Sequence, residues 1–266
     1  MILYAYAKIN LRLEVLGKRN DNYHELQMLN AKSKLYDILE INEDIENKVE
    51  FSKKELNDIP NNFCLNILND MCDIYHINKR YHIYITKNIP DGAGLGGGSS
   101  DAASIIRFLN NDNNLGLNDN MLIEIGKKYG ADIPYCLFNG IAIVEGIGEK
   151  INLIKDINLP NIYIICPNVH VSTKDVFNNT TIYDKKTKKE EILKYLENQD
   201  YKHLLYNGLE NATFKLHKEL KELKEKSLLY GDVVMSGSGS SFILIPNKNV
   251  DKKELEKEFT NCKIYE

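Results

Sequence analysis

One glycine-rich stretch decides how the chain is interpreted, and it reads Pro90-Asp91-Gly92-Ala93-Gly94-Leu95-Gly96-Gly97-Gly98-Ser99-Ser100, followed by Asp101-Ala102-Ala103-Ser104. Because glycine lacks Cβ, this backbone can take positive φ and bring its N–H groups close to an anion. Ser99, Ser100 and Asp101 are residue types that cap helices, and residues 102–109 favour a helix. The stretch therefore predicts a phosphate-binding loop that runs into a helix N-terminus, where unpaired N–H groups and the helix dipole attract negative charge.

Three alternative types of loop fit the sequence less well. A flexible Gly/Ser linker would lie in low-complexity sequence, whereas this loop lies between a strand-like run, residues 81–86, and a helix. Gly92, Gly94 and Gly97 match the dinucleotide fingerprint, but the predicted helix leads through Asn-rich residues 110–120 into a second helix, without the second parallel strand of a Rossmann unit. A Walker A loop would end in Gly-Lys-Ser/Thr, which is absent.

Composition indicates an ordinary globular enzyme. At 266 residues, with 43% apolar and 27% charged residues, the chain is long enough for one large or two modest domains. The net charge of −4, with lysine and glutamate interleaved, predicts neither a nucleic-acid nor a membrane partner. No leader pattern and no apolar run near the ~18 residues of a membrane span is evident, so we expect a cytoplasmic location.

Cysteine and histidine spacing gives no sign of a metal or disulfide framework. The five cysteines are scattered without a C-x-x-C pair, and the six histidines do not cluster. Both observations predict reduced, core-filling thiols and no metal site built by the protein.

The order of strand-like and helix-like segments predicts an α+β fold in both halves, because strands and helices are segregated instead of alternating. A polar stretch at 155–160 suggests two domains, 1–157 and 158–266. Predicted strands cover 9–16, 26–33, 35–41, 49–52, 81–86, 141–145, 151–154, 161–166, 233–235 and 242–245. Predicted helices cover 63–75, 102–109, 121–129 and 209–229, and a last helix opens with a capping box at Asp251 and Glu254.

Two charged residues are candidates for chemistry. Asp132 lies between Gly130 and Ile133-Pro134, where we expect the proline to hold Ile133 extended and the carboxylate to be fixed as a general base requires. Asp132 could instead cap a turn. Lys8, in the first strand, could extend to solvent. Beside a phosphate loop, however, a carboxylate and an ammonium are the groups that phosphoryl transfer needs.

Three further segments could bind a substrate. Tyr23 and His24 follow the first strand and could stack on and hydrogen-bond a nucleobase, or cover a hairpin. Phe177 fits best as the apolar anchor of a short helix. Residues 236–241 lie between two strand-like runs and form either a hairpin turn or a second backbone clamp on phosphate.

In their order along the chain, the most specific motifs are Ala7-Lys8-Ile9-Asn10-Leu11, then Tyr23-His24-Glu25-Leu26, the glycine loop, and Gly130-Ala131-Asp132-Ile133-Pro134. Together they resemble the GHMP kinase superfamily and, within it, the kinases that act on 4-diphosphocytidyl-2-C-methyl-D-erythritol. The resemblance covers nearly the whole chain. The Tyr-His segment favours the cytidyl substrate over galactose, homoserine or mevalonate.

The resemblance implies roles for these residues. Asp132 would be the base that acts on the 2-hydroxyl of the substrate, and Lys8 would orient that group and stabilise charge. The loop from Pro90 to Ser100 would hold the phosphates of ATP, with Mg²⁺ bound by phosphate oxygens and water. The residues implied on the substrate side are Tyr23 and Phe177 sandwiching the cytosine, His24 at its edge, Asn10 near the methylerythritol, and Thr173, Gly237, Ser238 and Gly239.

The resemblance also implies a fold and a mode of action. The fold would be a two-domain α+β GHMP kinase architecture, with an N-terminal domain like ribosomal protein S5 domain 2, containing a left-handed βαβ unit, and a ferredoxin-like C-terminal domain. The protein would act as a monomer or homodimer. Asn22 stands where the family usually has glycine, and asparagine tolerates the left-handed conformation best among the other residues.

Three alternative functions remain open from the sequence. They are another GHMP kinase of the homoserine or mevalonate type, a Rossmann-type NAD-dependent oxidoreductase, and a nucleotide-binding protein without catalysis.

Overall fold

The structure is a computed structural model that describes residues 1–58, 62–155, 157–247 and 249–266. The chain forms two compact units, each built from several segments. The first unit comprises Met1–Lys8, Lys34–Asp91 and Gly96–Asn139, and the second comprises Ile9–Ser33, Gly92–Leu95 and Gly140–Glu266. The division at 157/158 stays a prediction, and Asp156 of the stretch 155–160 lies outside the described residues.

The described residues contain strands, short and long helices and one 3₁₀ turn. The strands are β1 (Ile2–Lys18), β2 (His24–Asp44), β3 (Lys48–Phe51), β4 (Arg80–Thr86), β5 (Ile141–Gly146), β6 (Lys150–Ile154), β7 (Tyr163–Pro167), β8 (Tyr206–Asn207), β9 (Gly231–Met235), β10 (Phe242–Pro246) and β11 (Cys262–Tyr265). The helices are α1 (Phe63–Ile74), α2 (Gly97–Asp112), α3 (Asp119–Lys127), α4 (Ile133–Cys136), α5 (Thr173–Asn178), α6 (Lys189–Glu197), α7 (Tyr201–Leu204), α8 (Glu210–Leu216), α9 (Lys218–Ser227) and α10 (Lys252–Glu258). The 3₁₀ turn is Lys54–Leu56.

The first unit packs helices on strands. β2 pairs antiparallel with β4, and β3 pairs parallel with β4, with α1 in the connection between them. Asn62 caps the start of helix α1, because its side chain accepts hydrogen bonds from the N–H groups of Cys64 and Leu65. Helix α2 buries Ile105, Ile106 and Leu109 completely. These apolar residues recur at helical spacing, so α2 forms the centre of the core of this unit.

The second unit contains a separate antiparallel sheet in the order β11-β7-β10-β9. Because β7 and β10 are its central strands, residues 163–166 and 242–245 are all buried, as their uninterrupted apolar sequence predicts. Counted in chain order, the four strands follow the order 4-1-3-2 that the ferredoxin-like fold requires. The same unit holds the pairings of β2 with β5, β5 with β6, and β1 with β8.

Several sequence predictions are confirmed. Most predicted strands and helices occur, although β1 begins at Ile2 instead of residue 9, and Asp251 caps α10 by accepting from the N–H of Glu254 at 2.8 Å. The elements β8, β11, α4, α6 and α7 were not predicted. Four of the five cysteines are buried, as the prediction of core-filling thiols requires, whereas Cys262 is only partly buried. No strand lies between α2 and α3, within a part of the chain that is described without gaps, so the requirement of a Rossmann unit is not met.

Two predicted elements differ from the structure. The single helix expected over 209–229 is two helices, α8 and α9, because His217 (φ −135°, ψ 85°) leaves the helical region. The predicted apolar residue Leu216 is 42% exposed there, so the helical period is broken at this point. The strands expected at 26–33 and 35–41 are one strand, β2, because Lys34 between them continues it.

Candidate active site

Helix α2 begins with an open N-terminus. Its N-cap is Gly96 in the left-handed conformation (φ 64°), with no side-chain capping bond and no acidic residue in the first turn. The prediction that Ser99, Ser100 and Asp101 cap this helix is wrong, because the positive φ of Gly96 lets the helix start earlier. Ser100 instead donates its hydroxyl to the carbonyl of Tyr6 at 2.7 Å. The N–H groups of the first turn, residues 97–99, are therefore not capped by a side chain and are suited to bind phosphate.

Lys8 lies directly against this helix start. Its residue is only 4% exposed, so the alternative that it extends to solvent is wrong. A Cβ on Gly96 would lie 2.7 Å from Cγ of Lys8, which shows that position 96 must be glycine while the lysine stem fills this space. The Lys8 ammonium lies 3.4 Å from Oδ1 of Asp132. The two charged residues that the sequence singled out are therefore an ion pair.

Asp132 immediately precedes the short helix α4. The expectation that Ile133 is extended is wrong: Ile133 is the first residue of α4, and Pro134 lies in the first turn, where a missing N–H costs nothing. The Asp132 side chain makes no capping bond, so the turn-cap alternative is not supported. Its carboxylate is 39% exposed. It is thus held by Lys8 on one side and remains accessible to a hydroxyl group.

The middle of the glycine loop, Gly92–Leu95, packs on residues 236–241 within the second unit. Ser236 donates its hydroxyl to the carbonyl of Gly94 at 3.0 Å, and the N–H of Ser241 donates to the carbonyl of Ala93 at 3.2 Å. Gly94 has φ 75°, and a Cβ there would lie 2.1 Å from the carbonyl oxygen of Ser236. Only glycine fits at this position.

Residues 236–241 form the turn of the hairpin between β9 and β10. A hairpin turn was one of the two alternatives for this segment, beside a second backbone clamp on phosphate. The predicted site residues Gly237, Ser238 and Gly239 are all buried. The amide of Asn207 donates to the carbonyls of Met235 and Gly237 at 2.7 and 2.8 Å, and the hydroxyls of Thr173 and Ser238 lie 2.8 Å apart. The turn is therefore fixed by side chains from other elements of its own unit.

Asn10 belongs to a buried polar network. Its N–H donates to Ser236 Oγ at 3.2 Å, and its Nδ2 donates to Asn30 Oδ1 at 2.6 Å. The sequence analysis missed Asn30, although a polar residue inside the apolar run of β2 is the signal that could have found it. Among the described residues, Asn30 Nδ2 is one of the few buried side-chain polar atoms without a partner.

The Tyr-His segment forms the turn after β1. Asn22 adopts φ 68°, which confirms that this asparagine takes the left-handed conformation expected of it. Tyr23 donates its N–H to Asp21 Oδ1 at 3.1 Å, and its ring is exposed, with 57% of the residue accessible. His24 is buried, and burial, together with the nearby charge of Lys18, lowers the pKa of its imidazole. His24 is therefore mainly neutral at pH 7, with one donor and one acceptor nitrogen.

His24 and Phe177 lie against each other, with ring centroids 5.0 Å apart at an angle of 30°. Phe177 is half-buried, and the apolar anchor of α5 is its neighbour Val176, which is fully buried. The anchor role considered for Phe177 is therefore wrong, and its ring is available for stacking. Tyr183, which the sequence analysis missed, lies 6.1 Å from the His24 ring.

A cavity of about 180 Å³ opens in the first unit beside the start of α2. Phe51, Leu56 and Phe63 form apolar walls, and Gly98 of the first helical turn borders it. Asp91, which the sequence placed among phosphate-binding residues, also lines it, and its carboxylate is paired with Lys53 Nζ at 2.5 Å. The pairing offsets a negative charge that would otherwise repel an anion. No sequence pattern marked these walls.

A buried ion cluster forms another wall of this cavity and was also missed. Lys87 and Asp101 line the cavity, and Lys87 bridges the carboxylates of Asp37 and Asp101. Burial by itself lowers the pKa of Lys87, but the charges of Asp101 and Asp37 outweigh burial and raise it. Burial raises the pKa of Asp101 to about 8; the Lys87 ammonium opposes that rise, and the Asp37 carboxylate adds to it.

The cluster predicts a pH-dependent stability. Because the folded pKa of Asp101 exceeds the unfolded value of 3.8, its contribution to the free energy of unfolding is complete below about pH 4 and is lost as pH rises to about 8. Besides Lys87 and Asp37, the Cys64 thiol lies near this carboxylate, and burial keeps that thiol protonated by raising its pKa. Because the folded chain holds one proton more at this group than the unfolded chain between these pH values, the free energy of unfolding falls by about 1.4 kcal/mol for each pH unit.

Urea unfolding at pH 6 and pH 8 tests this expectation. The wild type should lose more stability between these two values than Asp101→Asn does, since only the wild type releases a proton from this group. Equal pH dependence of the two proteins would contradict the assignment.

Two family models match separate parts of the chain. The GHMP kinases N terminal domain matches residues 62–140, and the GHMP kinases C terminal domain matches residues 183–263. The chain belongs to the GHMP kinase family. Within the N-terminal match lie the glycine loop and Asp132 of this GHMP kinase, and within the C-terminal match lies the turn 236–241.

Two curated relatives of this GHMP kinase share one name. A 4-diphosphocytidyl-2-C-methyl-D-erythritol kinase of Clostridium acetobutylicum is 38% identical over 99% of this chain and 96% of the relative. One of Clostridioides difficile is 37% identical over 97% and 92%. A crystal structure of 4-(cytidine 5'-diphospho)-2C-methyl-D-erythritol kinase superposes with a TM-score of 0.83 at 27% identity, covering 100% and 97%. The mevalonate kinase of Methanococcus jannaschii, at 21% identity and TM-score 0.67, shares the fold.

The described residues contain neither a cluster of metal ligands nor a membrane span. No group of three or more His, Cys, Asp or Glu side chains in this part of the GHMP kinase could hold a metal ion. None of the helices in the described ranges is long and apolar enough to span a membrane.

Proposed function

We propose that this GHMP kinase transfers the γ-phosphate of ATP to the 2-hydroxyl of 4-diphosphocytidyl-2-C-methyl-D-erythritol, a step of non-mevalonate isoprenoid precursor synthesis. The observation that carries the proposal is the Lys8–Asp132 ion pair, at 3.4 Å, with Lys8 packed on the glycine that starts α2. The shared name of the curated relatives supports the choice of substrate.

The transfer is a direct displacement. Asp132 accepts the proton of the attacking hydroxyl while the oxygen of that hydroxyl bonds to the γ-phosphorus. The bond between the γ-phosphorus and the oxygen that bridges it to the β-phosphate breaks, and ADP leaves. The Lys8 ammonium orients the hydroxyl and offsets the developing negative charge. The N–H groups of residues 97–99 bind the phosphates at the helix N-terminus. No side chain forms a phosphorylated intermediate.

ATP binding is assigned to residues of the glycine loop and the cavity beside it. The loop from Pro90 to Ser100 binds the phosphates, and the cavity next to Gly98 takes the adenine between the apolar walls of Phe51 and Phe63. Mg²⁺ enters with ATP and is held by phosphate oxygens and water.

The substrate's cytidine is assigned to the aromatic residues of the second unit. Tyr23 and Phe177 sandwich the cytosine, and neutral His24 meets its edge with one donor and one acceptor. The methylerythritol is assigned to Asn10, Thr173, Gly237, Ser238 and Gly239. We further propose that the protein is a monomer or homodimer with domains 1–157 and 158–266. We also propose a cytoplasmic location, which the free thiols of the five cysteines support because the cytoplasm is reducing.

An ADP-release assay with a panel of alcohols tests the proposal. We expect kcat/KM for the cytidyl substrate to exceed that for homoserine or mevalonate by about 100-fold or more, since those alcohols lack the base that stacks. Faster turnover of either alcohol would assign the protein to another type of GHMP kinase. Calorimetry that shows binding of NAD but not ATP would instead support an oxidoreductase.

Replacing Phe177 with leucine tests the cytosine site. Stacking on one aromatic ring contributes about 1–3 kcal/mol, so Phe177→Leu should raise KM for the cytidyl substrate by about 10-fold with KM for ATP unchanged. Steady-state kinetics with each substrate varied in turn measure both constants. Phe138→Leu, at another half-buried phenylalanine, is the matched control and should leave both unchanged. An equal rise in both constants for Phe177→Leu would argue against cytosine stacking.

A further inference from the structure

The buried cluster of Lys87, Asp37 and Asp101 joins three elements of the first unit. Lys87 directly follows β4, Asp37 lies on β2, and Asp101 lies in the second turn of α2. The ammonium donates to Asp37 Oδ2 and, at 2.6 Å, to Asp101 Oδ2. All three side chains are at most 2% exposed. The cluster is therefore shielded from solvent, although two of its members line the cavity.

Asp37 also binds the chain where it enters the glycine loop. Its Oδ1 accepts from the N–H of Asn88 at 2.6 Å and from the N–H of Ile89 at 2.8 Å. These are the last peptide N–H groups before Pro90, the first residue of the loop. One carboxylate thus fixes both the ammonium of Lys87 and the backbone that leads into the loop.

Lys87 and Ile89 pack beneath the first residue of α2. A Cβ on Gly97 would lie 2.9 Å from Ile89 Cγ2 and 3.4 Å from Lys87 Nζ. The first residue of α2 therefore packs on the ammonium of Lys87 and on Ile89, whose N–H is bound by Asp37. Asp101, bonded to the same ammonium, fixes the second turn of the helix. A displacement of the cluster would move the N–H groups of residues 97–99.

Fold stability alone does not account for these charges. A buried ion cluster is a weak source of stability, because desolvation of the ions offsets their attraction, and apolar residues of similar volume often serve as well. An ammonium beneath a helix N-terminus is also opposed by the positive end of the helix dipole. The same ammonium is favourable once an anion binds there. In addition, Asp101 Oδ1 is buried and has no hydrogen-bond partner among the described residues.

We propose that Lys87, Asp37 and Asp101 form a positioning cluster that fixes the entry of the glycine loop and the first turn of α2 in the geometry that binds the triphosphate of ATP. Lys87 adds a positive charge beneath that site without touching the phosphates. The inference rests on the proposed function, because it assigns the triphosphate to this helix start.

The test compares ATP binding with stability in variants of the full chain. Lys87→Met removes the charge and keeps the length of the side chain, and Lys79→Met is the matched control at an exposed lysine just before β4. Titration calorimetry with ATP and with the cytidyl substrate gives two dissociation constants, and urea unfolding gives stability. We expect Lys87→Met to weaken ATP binding by about 10-fold or more, with binding of the cytidyl substrate changed less than about 2-fold. Lys79→Met should change neither of the two dissociation constants.

A second variant separates positioning from folding. Lys87→Met combined with Asp37→Asn removes one positive and one negative charge, so it should regain much of the stability lost in Lys87→Met. If the cluster positions the loop, ATP binding stays weak in this double variant. Recovery of ATP affinity together with stability, or wild-type ATP affinity in Lys87→Met, would overturn the proposal. A wild-type protein that binds no ATP would overturn the proposed function instead.

Discussion

Replacing Asp132 with asparagine should lower kcat by about 100-fold or more, with little change in KM for ATP. Asparagine keeps the size of the side chain but cannot accept a proton from the attacking hydroxyl. The loss should therefore appear in the chemical step. Pre-steady-state measurement of ADP formation, with both substrates saturating, would report that step directly.

A loss of stability has to be separated from this effect on the chemical step. The Asp132 side chain is 39% exposed, but that of Lys8 is only 5% exposed, so removing the carboxylate charge costs more than the about 0–1 kcal/mol of a surface ion pair. Urea unfolding of Asp132→Asn measures that cost, and kcat is compared under conditions in which the variant is fully folded. Asp119→Asn, at an exposed aspartate of the same unit, is the control and should keep full activity. Near wild-type turnover by a folded Asp132→Asn would remove the proposed role as general base.

Replacing Gly94 with alanine should destabilise the second unit severely and abolish ATP binding. The residue has φ 75°, which costs a non-glycine residue about 1–2 kcal/mol. The added Cβ would also lie 2.1 Å from the carbonyl oxygen of Ser236, a backbone atom that cannot rotate away. Such overpacking costs about 1–3 kcal/mol more. Thermal unfolding and ATP calorimetry would measure the two losses.

Gly116→Ala separates the cost of a positive φ from the cost of the close contact between Cβ and the backbone. Gly116 has φ 67°, almost the same backbone conformation, but nothing lies within 4 Å of a Cβ placed there. This control should show the cost of positive φ alone and retain ATP binding. If the two alanine variants were equally stable, the close contact between residue 94 and the turn 236–241 would not be important for the fold.

The sequence predicted the parts of the site whose chemistry depends on local residue types. Glycines in series indicated a loop and a helix start, and Lys8 and Asp132, singled out as candidates for chemistry, lie together as an ion pair. The exact helix start was missed because cap-type side chains were given more weight than the left-handed conformation of Gly96. Ile133 was predicted to be extended because a residue before proline usually is, yet the first turn of a helix also accepts proline.

The missed residues come together only through the tertiary fold. Asp37 and Lys87 are 50 residues apart in sequence, and each, taken alone, is a charged residue near the end of a strand-like run. The walls of the cavity come from β3, the 3₁₀ turn and the start of α1, which share no spacing that a pattern could detect. The break between α8 and α9 was missed because the sequence there continues an amphipathic pattern, whereas His217 leaves the helical conformation.

The packing of the Lys8 stem on Gly96 affects how substitutions of this lysine are interpreted. Lys8→Ala would delete methylene groups that fill the space beneath the helix start, so lower activity could come from a void as well as from the missing charge. Lys8→Met retains most of that volume and removes only the ammonium. The difference in kcat between the methionine and alanine variants is therefore a measure of the steric contribution of this side chain, separate from its electrostatic contribution.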